Sequence, residues 1–275
     1  MRKVSKAVAK RLAMLGVDDV TDSDAVFAAL AYTVAGKRRK LLGTSSKVRK
    51  GGKLSVLTRV MYLAPARLSG VNMCPWSTTG CAEACLGHST GMLQLDSNQR
   101  VLVAKALLWH LFRDYFLKRL DVEIKAHITA ADRLGLEPAI RLNGSSDVRW
   151  ERYINMSSYA CIFYDYTKAP ADKRNTSSGY HLTYSVSERA DSEAEAMRWI
   201  DSGGNAAVVV AARGSNRLAD AKRVALKLVR NRWRGCPTVD GDETDVRYRD
   251  QAGSMVVLYA KGAALRDDSG FVKRL

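Results

Sequence analysis

No apolar run in this 275-residue chain reaches 18 residues, so the sequence predicts no membrane-spanning helix. The opening stretch MRKVSKAVAKRLAMLG has neither a continuous apolar region nor a small-residue cleavage site, so it does not read as a secretory leader. Five cysteines are an odd number, and Cys161 and Cys236 stand alone. That argues against a disulfide scaffold and for a reduced, intracellular protein. There is no glycine fingerprint for dinucleotides, no P-loop and no internal repeat. Acids are also missing from a whole segment. Between Lys37 and Lys53 the chain carries Lys37, Arg38, Arg39, Lys40, Lys47, Arg49, Lys50 and Lys53 and no Asp or Glu.

What is present is charge, a thiol cluster and a repeating alternation of strands and helices. The net charge is +16, with a pI of about 9.8. A charge of that size favours a polyanionic partner, most simply nucleic acid, and the eight cations at 37–53 are the first candidates to meet its phosphates. A second basic stretch, Arg217 to Arg234, holds seven Lys/Arg against one Asp. It reads by default as the solvated face of a helix. Residues 1–42 read as two helices, the first basic, followed by a polar linker rich in Gly and Ser. We therefore take 1–45 as a helical basic N-terminal appendage and 46–275 as the main domain.

In that domain, a strand-like run at 54–66 stops at Pro65, and those at 138–147, 161–168, 180–188, 205–213, 236–245 and 255–262 each end in polar residues. Helical patterns lie at 97–134, 192–202 and 215–233. This alternation predicts an α/β fold with a parallel sheet buried on both faces. Seven such strands suggest a complete or partial parallel (β/α) barrel, with an open doubly wound sheet as the alternative.

In either fold, chemistry gathers at the carboxyl ends of the strands. The first strand runs into NMCPWSTTGCAEACLG, with Cys74, Cys81 and Cys85 inside twelve residues. Three crowded thiolates leave one coordination position open. In a [4Fe–4S] cluster that is where a substrate or cosubstrate binds. Zinc is the alternative, and His88, three residues after Cys85, could then close a Cys₃His site. Asn143, Ser145 and Asp147 follow the second strand, Asp165 and Lys168 lie at the third, and Ser185 and Glu188 at the fourth. These are the candidate catalytic residues. Asn143-Gly144-Ser145-Ser146-Asp147 also reads as a simple turn and helix cap.

The motifs YLAPARLSGVNMCPWSTTGCAEACLG, RLNGSSDVRWE, FYDYTK, YHLTYSVSE, GGNAAVVV and VDGDETDVRYRD resemble, in order, those of an uncharacterised bacteriophage family known as gene product 88. The resemblance implies a phage protein working in the cytoplasm of an infected bacterial host, and supplies no activity. At the level of fold, the three-cysteine loop after a first barrel strand is similar to that of radical S-adenosylmethionine enzymes, in which three thiolates hold a [4Fe–4S] cluster and its fourth iron binds S-adenosylmethionine. The spacing here is C-x₆-C-x₃-C, against the common C-x₃-C-x₂-C.

Three functions are compatible with these residues. One is an iron–sulfur enzyme acting on nucleic acid or nucleotides. A second is a non-enzymatic nucleic-acid-binding phage protein with a structural zinc or cluster. A third is a magnesium-dependent phosphoesterase using Asp147, Asp240, Asp242 and Asp245.

Overall fold

The computed structural model describes residues 1–35, 40–44, 54–89, 93, 95–175 and 179–275. The N-terminal helices are α1 (Lys6–Ala13) and α2 (Ser23–Ala35). Ser5 caps α1 by accepting from Val8 N at 3.3 Å. Val8, Leu12, Val26, Leu30 and Val34 are fully buried in the same core as the central sheet.

The sheet contains β1 (Leu42–Gly43), β2 (Val56–Met61), β3 (Glu137–Arg141), β4 (Ile162–Thr167), β5 (Tyr180–Ser185), β6 (Asn205–Ala211), β7 (Thr238–Asp240), β8 (Met255–Tyr259) and β9 (Lys273–Arg274). Its order is β1-β2-β3-β4-β5-β6-β8-β7, with β9 beside the end of β6. Only β1 is antiparallel, against β2. From β2 to β6, neighbours in space are neighbours in sequence, and the order is broken only at the far edge, where β8 lies between β6 and β7; a doubly wound sheet instead reverses in its middle.

Of the expected complete or partial parallel barrel, the complete form is not found: among the described residues the sheet is open, with β1 and β7 at its edges. The reason is visible at both ends. The two-residue, antiparallel β1 cannot continue a parallel register, and β7 is only three residues long.

Alternate residues of the strands enter different clusters. Ile140, Phe163, Leu182, Val208 and Val257 point into the main core. That core also takes Phe116, Leu120 and Ile124 of α6 (Arg113–Arg133) and Ala196, Trp199 and Ile200 of α7 (Ser192–Asp201). Val56, Ala139 and Tyr164 point the other way, against Val246. The sheet is thus buried on both faces, but its second face is covered by the irregular segment around Val246 rather than by a helical layer. α8 (Leu218–Val229) packs over β6, β7 and β8.

The single helical pattern at 97–134 is two helices, α5 (Asp96–Leu111) and α6, broken at Phe112, whose φ of −130° and ψ of 56° are not helical. The break lets the two halves bury different faces. From Leu102 onward α5 is buried nearly all round, and even Lys105 is enclosed, with Nζ donating to Leu41 O at 2.9 Å. α6 instead buries one stripe at helical spacing, Phe116, Leu120, Ile124, His127 and Ala131. Among the described residues, no helix is long and apolar enough to cross a membrane.

Candidate functional site

The cysteine loop hangs from the carboxyl end of β2. It contains two short helices, α3 (Thr79–Glu83) and α4 (Leu86–Ser89). Asn72 Oδ1 accepts from Cys74 N at 3.0 Å, and Thr78 caps α3 by accepting from Cys81 N at 3.3 Å. None of the five cysteines is in a disulfide. Two backbone amides point at sulfurs: Ala66 N at Cys74 Sγ (3.3 Å) and Gly87 N at Cys85 Sγ (3.4 Å). A Cβ at Gly87 would lie 2.8 Å from Ser145 Cβ and 3.2 Å from Pro65, so only glycine lets that amide come so close.

The three thiols feel one another electrostatically. Burial pushes Cys74 up to about 12 and Cys85 up to about 11. It raises Cys81 as well, against the opposing pull of Lys168.

The polar strand ends gather around this loop. Glu188 reaches across from beyond β5 and clamps α3, its Oε2 accepting from Thr78 Oγ1 at 2.6 Å and its Oε1 from Gly80 N at 2.7 Å. Gly80 is buried under Ser269, with no room for a Cβ. Ser145 Oγ donates to Leu63 O at 2.6 Å, and its carbonyl oxygen lies 3.8 Å from Cys74 Sγ. Lys168 Nζ donates to Ser185 Oγ at 2.7 Å and to the carbonyls of Ser185 and Val186 at 3.3 Å. It also sits 4.8 Å from the centre of the Phe271 ring.

Behind this layer, the other candidate residues tie strands together. Asn143 Oδ1 accepts from Ser146 Oγ (2.8 Å), Val148 N (3.0 Å) and Trp150 Nε1 (3.0 Å), which is the turn-forming role its motif allowed. Asp147 joins the ends of β3 and β4, accepting from Thr167 Oγ1, Lys168 N and Arg174 Nη1, each at 2.9 Å. Asp165 is fully buried and accepts from Leu142 N (2.8 Å), Asn143 N (2.9 Å), Tyr180 Oη (2.7 Å) and Arg141 Nε (3.3 Å). Arg141 also pairs with Asp245 at 2.8 Å.

Burial pushes Asp165 up to about 6, against Arg141, Tyr180 and the two amides. An acid whose folded-state pKa is raised favours the fold at low pH and loses that contribution as pH rises from about 4 through 6, a change on the order of 3 kcal/mol. Unfolding free energies measured from pH 4 to 7 should carry this downward slope in the wild type and lose it in Asp165→Asn. Equal slopes would mean that the carboxyl is ionised throughout.

The remaining candidates are not gathered. Asp240 accepts from Asp242 N, and Asp242 pairs with Lys261. With Asp147 on Arg174 and Asp245 on Arg141, the four carboxylates of the magnesium reading are divided among separate partners. Among the described residues, no three His, Cys, Asp or Glu side chains form a group that could hold a metal ion. His88 lies in α4, and its side chain falls outside the described residues. Of the eight basic residues at 37–53, Lys40 is exposed, and Lys37, Arg38, Arg39, Lys47, Arg49, Lys50 and Lys53 lie outside the described residues. Reasoning from sequence missed Thr78, Gly80, Gly87, Arg174 and Tyr180. Only the glycines, set in a loop between cysteines, left a signal.

The model of the family described as Gene product 88 matches residues 32–275. The chain belongs to the gene product 88 family. The match takes in the whole cysteine loop and every strand of the sheet, so the site built above is a feature of the region shared with that bacteriophage family. No curated protein and no solved structure matches the chain, and the likeness to radical S-adenosylmethionine enzymes gains no support there.

Proposed function

We propose that Cys74, Cys81 and Cys85 hold a [4Fe–4S] cluster, and that this phage protein acts on nucleic acid or nucleotides in the cytoplasm of the infected host. The observation that carries the reading is the loop itself. Three thiols, none of them in a disulfide, lie on one loop at the carboxyl edge of a parallel sheet, and backbone amides already donate to two of the sulfurs. Such N–H···S contacts are what a thiolate-held cluster uses to set its potential.

When bound, such a cluster supplies electron-transfer or radical chemistry, and its fourth iron is a place for S-adenosylmethionine. The chain's own residues do the rest. Glu188 and Thr78 fix the helix that carries Cys81. Lys168 holds a positive charge beside Cys81 and Cys85, offsetting thiolate charge in a partly dry setting. The centre of the Phe271 ring lies 4.8 Å from Lys168 Nζ, and Ser269 covers Gly80.

The test is an absorption spectrum with iron, sulfide and zinc analysis, on full-length protein purified without oxygen. A brown protein absorbing near about 400 nm, with about four iron per chain, is expected. A colourless protein with one zinc per chain would replace this reading with a structural metal in a nucleic-acid-binding protein.

A further inference from the structure

The second basic stretch forms a surface that the thiol site does not use. α8 buries Ala221 and Ala225, with Val224 and Leu228 half-buried beside them. Lys222, Arg223, Lys227 and Arg230 are exposed on the opposite side. At 3.6 residues per turn they occupy an arc of about 140°, and at 1.5 Å per residue the row runs for about 12 Å. Arg217 before the helix is exposed as well, and so is Arg234 after it, which pairs with Glu193. The only acid on α8 is Asp220, which is taken up by Arg223 at 2.9 Å and by Ser215 at 2.7 Å. Arg217, Lys222, Lys227 and Arg230 make no ion pair with any described residue.

The same molecule shows what an ordinary solvated helix looks like. On α6 the exposed Lys125 pairs with Asp121 one turn away, and the more buried Arg119 pairs with Glu123. α8 has one such pair, Arg223 with Asp220, and no acid for its other cations. A like-charged row repels itself, and a solvated face has no physical need of one; a polyanion relieves the repulsion. Arginines dominate the set, and their planar forks suit phosphate oxygens.

We infer that the outward face of α8, with Arg217 and Arg234 at its ends, is the phosphate-backbone contact of a nucleic acid. This rests on the nucleic-acid half of the function proposed above and is independent of the cluster.

The experiment is fluorescence anisotropy of labelled single- and double-stranded oligonucleotides with the full chain over a range of salt concentrations. The variant is Lys222→Ala, Arg223→Ala, Lys227→Ala and Arg230→Ala combined, all at exposed positions. A pair on α6, Lys118→Ala with Lys125→Ala, is the charge control. The α8 variant should bind more weakly, with the slope of log K against log salt reduced by about 3 for duplex, while the control stays close to wild type. Binding by the wild type that the α8 changes leave intact would overturn the inference and leave the nucleic-acid reading standing. An equal loss per charge removed in the α6 control would overturn it too, by reducing the effect to net charge. A wild type that binds no oligonucleotide, or that binds only vesicles of anionic lipid, would end both.

Discussion

Replacing Asp147 with alanine should destabilise the fold by about 3–5 kcal/mol, the cost of breaking a buried pair by removing one partner. Arg174, whose side chain has no exposed surface, is held between Asp147 at 2.9 Å and Glu151 at 2.8 Å. Without Asp147, the guanidinium keeps one carboxylate and gains no water. Thr167 Oγ1 and Lys168 N lose the same acceptor. Those two groups sit at the carboxyl end of β4, beside the site, so the loss falls on the strand end that presents Lys168. Asp147→Asn retains one side-chain oxygen but removes the charge, and should cost less than the alanine. Urea unfolding followed by circular dichroism measures both. A shift corresponding to less than about 1 kcal/mol for the alanine would mean that water or Glu151 alone satisfies Arg174, and that Asp147 is free for another role.

That expectation reverses the meaning of the residue. In the sequence, Asp147 closes a polar tail at a strand end, and polar tails at strand ends read as pocket linings. Its donors come from Thr167, Lys168 and Arg174, twenty to twenty-seven residues away. Local pattern contains nothing about them. Asp165 is the same case. Its period-2 placement among aromatic residues was visible, but its enclosure by Arg141 and Tyr180 depends on register between three strands. The thiol loop was legible because its information is local: three cysteines, turn residues and a strand before them lie within a few residues of one another. The strands themselves were legible in the apolar runs, with the long candidates at 54–66 and 236–245 shortened to Val56–Met61 and Thr238–Asp240.

Whether the sheet closes was not legible. Hydrophobic period sets which face a side chain takes, and says nothing about shear or tilt, which decide whether the edges can meet. The antiparallel β1 and the pairing of β9 with β6 involve two residues each, too few for any period. The turn at Phe112 is likewise a packing event. Phe112 meets Phe27 at 5.2 Å and Arg113 covers the Trp109 ring at 4.4 Å, contacts with no trace in a continuous helical pattern.

Cys81→Ser should remove most of the iron from anaerobically purified protein, and Glu188→Gln should remove part of it, for different reasons. Cys81 offers a sulfur that a hydroxyl does not replace as a ligand to iron. Glu188 offers no ligand. It accepts from Gly80 N and Thr78 Oγ1 through two different oxygens, and so holds the first turn of α3 where Cys81 is needed. Glutamine retains one acceptor and presents an amide to the other donor, leaving it without a partner. The Cys81 variant should therefore be colourless with nearly unchanged unfolding. The Glu188 variant should load iron but lose it faster to a chelator, with the band near about 400 nm decaying more quickly than in the wild type. Its melting temperature should also fall, because hydrogen bonds to a charged group contribute about 1.5–3 kcal/mol each. If Glu188→Gln releases iron at the wild-type rate, the clamp is not what positions the loop. If Cys81→Ser keeps its full complement of iron, the thiols are not the ligands and the proposed cluster site is wrong.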